Sequence, residues 1–366
     1  MKELQTFGWY AARVAPHLPK KAFKPAPERL WGGLAYLIVV VSGILTISLT
    51  DFNIWISLMI SIVLGTSFAA MGFLGHEILH GTVVRKAWLR ELTGGIAFFP
   101  LSTGPKLWVK WHNMTHHRHT QDEEKDPDAW PTIEQFSKAK ILKPFYRLPL
   151  SVRGFLGLAF LAITFTMHSS RMFKRFIKEF NPEKRLSVWL QLLFPWATWI
   201  GLLVLIGPLK WTFAFLIPLL IANFIVMAYI ATNHRLNPLV PVNDPLANSL
   251  TVTVPKWVDV LHFNFSYHTE HHLFPGMSSK YYPLVKEELK KRWPERYHEM
   301  PMIQALAALY KTPRLYSNQV ELVDPVGGDA YGTLGHGLDP SNIKPKEANP
   351  AVVEEKTPTR SLTANK

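Results

Sequence analysis

The sequence predicts an all-α membrane protein: four transmembrane helices arranged as two hairpins, short interfacial or re-entrant helices between the pairs, and a cytoplasmic histidine-rich helical cap. Three observations carry this expectation. Four stretches of about twenty residues have no charged side chain, enough to cross a hydrocarbon core of about 30 Å. Lysine and arginine are distributed unevenly around those stretches. The histidines, 15 in 366 residues, gather in clusters near their ends.

Taken in order, residues 1–30 are polar and basic and read as a cytoplasmic N-terminus. Residues 31–50 ("WGGLAYLIVVVSGILTISLT") and 54–75 form the first uncharged pair, and 186–207 and 211–232 the second. Pro195 and Pro218 are expected to kink the second pair, which a membrane bundle tolerates because neighbouring groups re-satisfy the freed backbone. Between the pairs, 154–167 is apolar for only fourteen residues and 92–105 is broken by glycine and proline. Segments this short are interfacial or re-entrant rather than spanning. Residues 31–316 then form one membrane domain. Residues 317–366, rich in proline, glycine, asparagine and charge, read as a flexible C-terminal tail.

Charge sets the sidedness. The short linkers 51–53 and 208–210 hold a single Lys or Arg between them, whereas 76–185 holds eighteen. The positive-inside rule puts the intervening segment and both termini in the cytoplasm. The net charge of +13 might suggest nucleic acid, but the basic residues flank membrane segments, where they face anionic lipid. The expected partner is the lipid bilayer, with no nucleic acid. With no cysteine, disulfides, thiolate zinc sites and cysteine-ligated iron–sulfur centres are excluded, so any metal is held by nitrogen and oxygen.

Three histidine clusters lie on the cytoplasmic side of this topology. "HEILH" places His76 and His80 four apart, on one helical face. "HNMTHH" supplies His112, His116 and His117, and "HTEHH" supplies His268, His271 and His272. His234 stands alone where the fourth span ends. Nine imidazoles exceed one ion's coordination shell but suit two. Imidazole fits iron, copper, zinc or nickel and disfavours magnesium and calcium. Metal-bound imidazoles need partners on their second nitrogen; Asp126, Asp128, Asn233, Asp259 and Glu270 are the candidates. His119, seven residues after His112, and His262 are ranked as supporting or substrate-facing rather than as ligands.

The segments "HEILH", "HNMTHHRHT…DPDAWP" and "YHTEHHLFP" resemble the three histidine boxes of integral-membrane fatty acid desaturases, and the likeness runs from about Leu30 to Tyr297. The resemblance implies a non-haem di-iron centre, two Fe, held by His76, His80, His112, His116, His117, His268, His271 and His272, with His234 as the ninth ligand. It implies an O2-dependent acyl desaturase acting on an acyl-lipid or acyl thioester. His268 stands where front-end desaturases carry glutamine, and no haem-binding HPGG motif is present. A separate electron donor, a ferredoxin or a cytochrome b-type protein, is therefore expected on the basic face. The implied location is a bacterial inner membrane or the endoplasmic reticulum. A hydroxylase or ketolase of alkyl or carotenoid substrates is the alternative within enzymes, and a zinc-binding membrane receptor or transporter the alternative outside them.

Overall fold

The structure, a computed structural model, describes residues 3–139 and 143–346. It is mostly helical, but two small sheets depart from the all-α expectation: Thr251–Thr253 pairs in parallel with Glu299–Pro301, and Tyr316–Asn318, Glu321–Val323 and Ala330–Gly332 form an antiparallel sheet.

Among the described residues three helical runs are long and apolar enough to cross a membrane: Arg29–Leu49, Ile54–Leu79 and Pro182–His234. Asn53 starts the second of them, its side chain accepting from the N–H groups of Trp55 and Ile56 at 3.0 Å each. At 26 residues this helix is about 39 Å long, longer than a hydrocarbon core of about 30 Å, and its last turn bears His76 and Glu77. The uncharged stretch ends at Gly75, yet the helix continues to Leu79 and stops where Gly81 takes a positive φ of 78 just beyond His80.

The third run covers 53 residues and would be about 80 Å if straight. It is not straight. Gly207, at φ 78 and ψ 166, reverses the chain, which returns so closely that the Trp211 indole donates to the Trp199 carbonyl at 2.8 Å and Phe215 stacks on Trp199 at 4.2 Å. The expected break at Pro208–Lys210 is thus one glycine earlier, where a positive φ is free of Cβ strain. Neither Pro195 nor Pro218 makes the bend; Pro218 instead follows a π-helical turn, Thr212–Leu216, which absorbs its missing donor.

The helix Ile54–Leu79 and the arm Ile217–His234 lie side by side and run in the same direction. Ser61 donates to the Phe213 carbonyl, Phe73 meets Tyr229, and a Cβ on Gly65 would come within 2.6 Å of Ile221. That close approach puts His76 and His234 at the same end of the bundle. The short apolar stretch near 154–167 becomes two helices, Leu150–Ala159 and Leu161–Glu179, bent by 69°. Side chains such as Leu49, Val204 and Leu205 are 80% exposed or more, an apolar belt of the kind lipid covers.

The tail reading fails for its first thirty residues. Tyr316, Leu322 and Tyr331 are buried together, and Arg153 and Asp324 form a buried ion pair, so 317–346 folds back against the helices. Low apolar content hid this, because a few large side chains carry the packing. Residues 347–366 lie outside the described residues.

Candidate metal centre

Each histidine cluster owes its geometry to a different local device. His76 sits on the last turn of Ile54–Leu79 and His80 caps it, their ring centroids 4.7 Å apart. The second cluster lies on a π-helix, Val109–His116. Its wider turn brings residues five apart face to face, so that His117 Nε2 comes to 3.1 Å from His112 Nε2. The same turn removes His119 from the face it would share with His112 in an α-helix; the helix ends there, and His119 is half-buried outside the cluster. The third cluster is a short buried helix, His268–Leu273.

These devices divide the nine imidazoles in two. His76, His80, His112, His117 and His271 offer nitrogens that all lie within 4.8 Å of one another, and so do His116, His234 and His272. His268, outside both groups by that measure, lies beside the latter three, its Nε2 at 2.7 Å from that of His234 and 3.1 Å from that of His272, which makes four. Within the group of five, Nε2 atoms from different histidine segments approach at 3.0–3.1 Å, as in His76–His112 and His271–His117. Two nitrogens each about 2.1 Å from one ion at a right angle are about 3.0 Å apart, so the spacing fits a shared metal. The His80 Nε2 atom is buried with no hydrogen-bond partner. An orphan of this kind costs about 1–3 kcal/mol unless something binds it, and a cation beside four other imidazoles would.

The outward nitrogens are tied down. Nδ1 of His116 meets Asp126 at 2.9 Å, that of His271 meets the Tyr282 hydroxyl at 3.1 Å, that of His234 meets the Asn248 carbonyl at 3.1 Å, and that of His272 meets Thr120 at 3.3 Å. Each bond leaves Nε2 for the centre. Burial, reinforced by neighbouring imidazoles, holds His112, His117, His268, His271 and His272 well below their ordinary pKa, so they are neutral and able to ligate. Burial also opposes charge on His116, but Asp126 and Asp128 outweigh it and push that imidazole up to about 9.

The expected supporting residues fare unequally. Asp126 bonds His116 directly, and Asp128 lies 3.5 Å from it while accepting from Trp111 Nε1 and His168 Nε2. Glu270 instead binds Thr251 and Tyr297, anchoring the third-cluster helix to the parallel strands. Asp259 accepts from Ser266, and the Asn233 side chain is buried without a partner. His262 bonds the Tyr229 hydroxyl at 3.0 Å. Spacing along the chain placed Glu270 and Asp259 near histidines but not the side of the helix they face. Thr120, Asn248, Tyr282 and His168 carried no signal of their own; they are ordinary residues brought in by folding. Glu77 was also missed. It pairs with Arg29 at 2.9 Å and accepts from Ser278 and Ser279, clamping the first cluster's helix to the chain beyond the third.

An apolar cavity adjoins both clusters, lined by Trp108, Trp111, Phe165, Val226, Ile230 and Phe265 beside His112 and His268. Trp108 and Trp111 reach it from the segment "WVKW" and Phe265 from "HFNFSY".

Fold and site together define a protein of membrane-length helices that gathers a two-part histidine centre at one end. Residues 53–304 match the fatty acid desaturase family, and the chain belongs to it, an oxidoreductase of lipid metabolism. It is 27% identical to the sn-1 oleoyl-lipid 12-desaturase of Synechocystis sp. over 87% of this chain and 90% of that protein. The corresponding enzyme of Anabaena variabilis is also 27% identical, over 81% of this chain and 88% of its own. The chloroplastic omega-6 fatty acid desaturase of Spinacia oleracea is 22% identical over 77% of this chain and 64% of its own.

Proposed function

We propose that this protein is an acyl-lipid desaturase that uses O2 and two electrons from a separate donor to convert adjacent methylenes of an acyl chain into a double bond, releasing two waters. The observation that carries the reading is the division of nine imidazoles into groups of five and four beside an apolar cavity. The five and the four would each hold one iron, and the pair would supply the oxidising chemistry. The chain's own residues do the rest. Asp126, Tyr282, Asn248 and Thr120 fix the ring orientation of four ligands. Trp108, Phe165, Val226 and Ile230 exclude water and hold one pair of carbons in place, on which selectivity depends. The relatives' substrates make oleoyl-lipids the first to test.

The proposed topology has four spans, 31–50, 54–75 and the two arms on either side of Gly207, with the histidine centre and both termini cytoplasmic. The reversal at Gly207 and the basic segment 76–185 support it. The domain is taken as 31–316 with 317–346 packed onto it.

Expression in a host rich in oleoyl-lipids, followed by mass spectrometry of the lipids, tests the reaction. A product two mass units lighter with a new double bond is expected; an added oxygen without unsaturation would replace desaturation by hydroxylation. Because the chain has no cysteine, single cysteines at Asn53, Pro208 and Ser317 can be labelled from either side. Labelling of Pro208→Cys from the same side as Ser317→Cys would overturn the topology.

A further inference from the structure

On the outer face of the helix that bears His112 and His116, two cavities join into one groove. The first, about 520 Å³, has four basic residues, Arg90, Lys106, Lys110 and Lys184, among apolar ones such as Leu79 and Phe180. The second, about 510 Å³, is apolar, with Leu92, Ile96, Phe99 and Phe194 along it. Glu91 and Pro105 line both, so the basic end runs directly into the apolar one.

The charges at the basic end are not equivalent. Lys106 is paired with Glu91 and Lys110 with Glu179, each at 2.9 Å. Gln191 holds the Glu91 carboxylate at 2.6 Å and accepts from the Lys106 backbone at 3.0 Å, so that this waist is fixed. Arg90 and Lys184 line the same cavity with no ion pair among the described residues. After pairing, two positive charges remain, one of them a guanidinium whose fork matches a phosphate. Both acidic groups are already committed, leaving nothing to receive the quaternary ammonium of a zwitterionic lipid.

We propose that this groove binds one anionic glycerophospholipid, its phosphate between Arg90 and Lys184 and an acyl chain along Leu92, Ile96 and Phe194. Basic pockets between membrane helices on the cytoplasmic side recognise acidic head groups in this way. The site rests on this geometry and not on the reaction assigned above, and its test reads lipid retention alone.

The test uses the full chain in nanodiscs, delipidated stepwise and examined by native mass spectrometry with phosphatidylglycerol or phosphatidylcholine of the same acyl chains. One phosphatidylglycerol should remain per chain where phosphatidylcholine is lost. The double variant Arg90→Gln, Lys184→Gln should weaken phosphatidylglycerol retention roughly 30-fold. Lys20→Gln, Lys21→Gln, which removes the same charge elsewhere, should leave it intact. Gly95→Leu keeps every charge and fills the apolar arm. A Cβ there meets Pro105 at an ordinary 3.7 Å and leucine favours the helix, so the chain should fold while retaining neither lipid. Equal retention of the two lipids by the unaltered chain, or equal loss in the two double variants, would overturn the proposal. So would displacement of the lipid by millimolar glycerol phosphate, which would mark an anion site without an acyl arm.

Discussion

Replacing Asp126 by asparagine tests whether the second nitrogen of His116 governs the four-histidine cluster. Asp126 is 6% exposed. Its Oδ1 accepts from His116 Nδ1 and the Asp128 N–H, both at 2.9 Å, and its Oδ2 from the Gln121 N–H at 2.7 Å. Asparagine keeps one of these oxygens and turns the other into a donor. If the amide oxygen occupies the Oδ1 place, the Gln121 N–H faces an NH2 group, at a cost of about 1–3 kcal/mol for a buried unsatisfied donor. If the amide flips, His116 and the Asp128 N–H are stranded instead. Either way His116 loses the carboxylate that fixes its ring and raises its basicity. Loss of such a partner weakens metal affinity about 10- to 100-fold, or about 1.4–2.8 kcal/mol. Protein purified with iron and dialysed against graded chelator, with metal counted by mass spectrometry, reads this directly. The unaltered chain should hold two equivalents. Asp126→Asn should release one of them at a chelator concentration 10- to 100-fold lower and keep the other, with helical circular dichroism unchanged. If both equivalents persist to the same chelator concentration as in the unaltered chain, the proposed link from Asp126 through His116 to the metal is wrong.

Three more outcomes follow from the same geometry. His234→Gln removes the nitrogen 2.7 Å from His268 and should lower iron content from two to one, whereas His119→Gln, outside both clusters, should leave it at two by the same assay. Glu77→Ala strands Arg29, Ser278 and Ser279 and should cost about 3–5 kcal/mol; an unmoved thermal transition in detergent would show that the clamp contributes nothing. Leu322→Ala should cost about 2–5 kcal/mol through the cavity it leaves, measured by denaturant unfolding, whereas a tail residue would cost nothing.

The apolar stretches and the nine imidazoles were legible in the sequence because both signals are local: absence of charge over twenty residues, and repetition of one residue type at helical spacing. Their partition into five and four was not. It depends on the π-helix Val109–His116, which turns His116 away from His117, and no residue in "VKWHNMTH" announces a wider turn. The same limit explains Glu270, which lies between His268 and His271 in sequence but faces Thr251 and Tyr297. Tyr282 and Asn248 were invisible for the converse reason: one contributes a hydroxyl and the other a backbone carbonyl, groups present everywhere in the chain. The small sheet between Tyr316 and Gly332 escaped because three-residue strands have too few positions for an alternating pattern to emerge.

The uneven sharing of histidines along the chain gives assembly a direction in time. A ribosome that has not yet reached His268 has already made four of the group of five imidazoles, His76, His80, His112 and His117, but only His116 and His234 of the group of four. On the proposed assignment, the first ion can be captured while synthesis continues, and the second must wait for the last third of the chain. The Glu77 clamp on Ser278 and Ser279 then closes behind both.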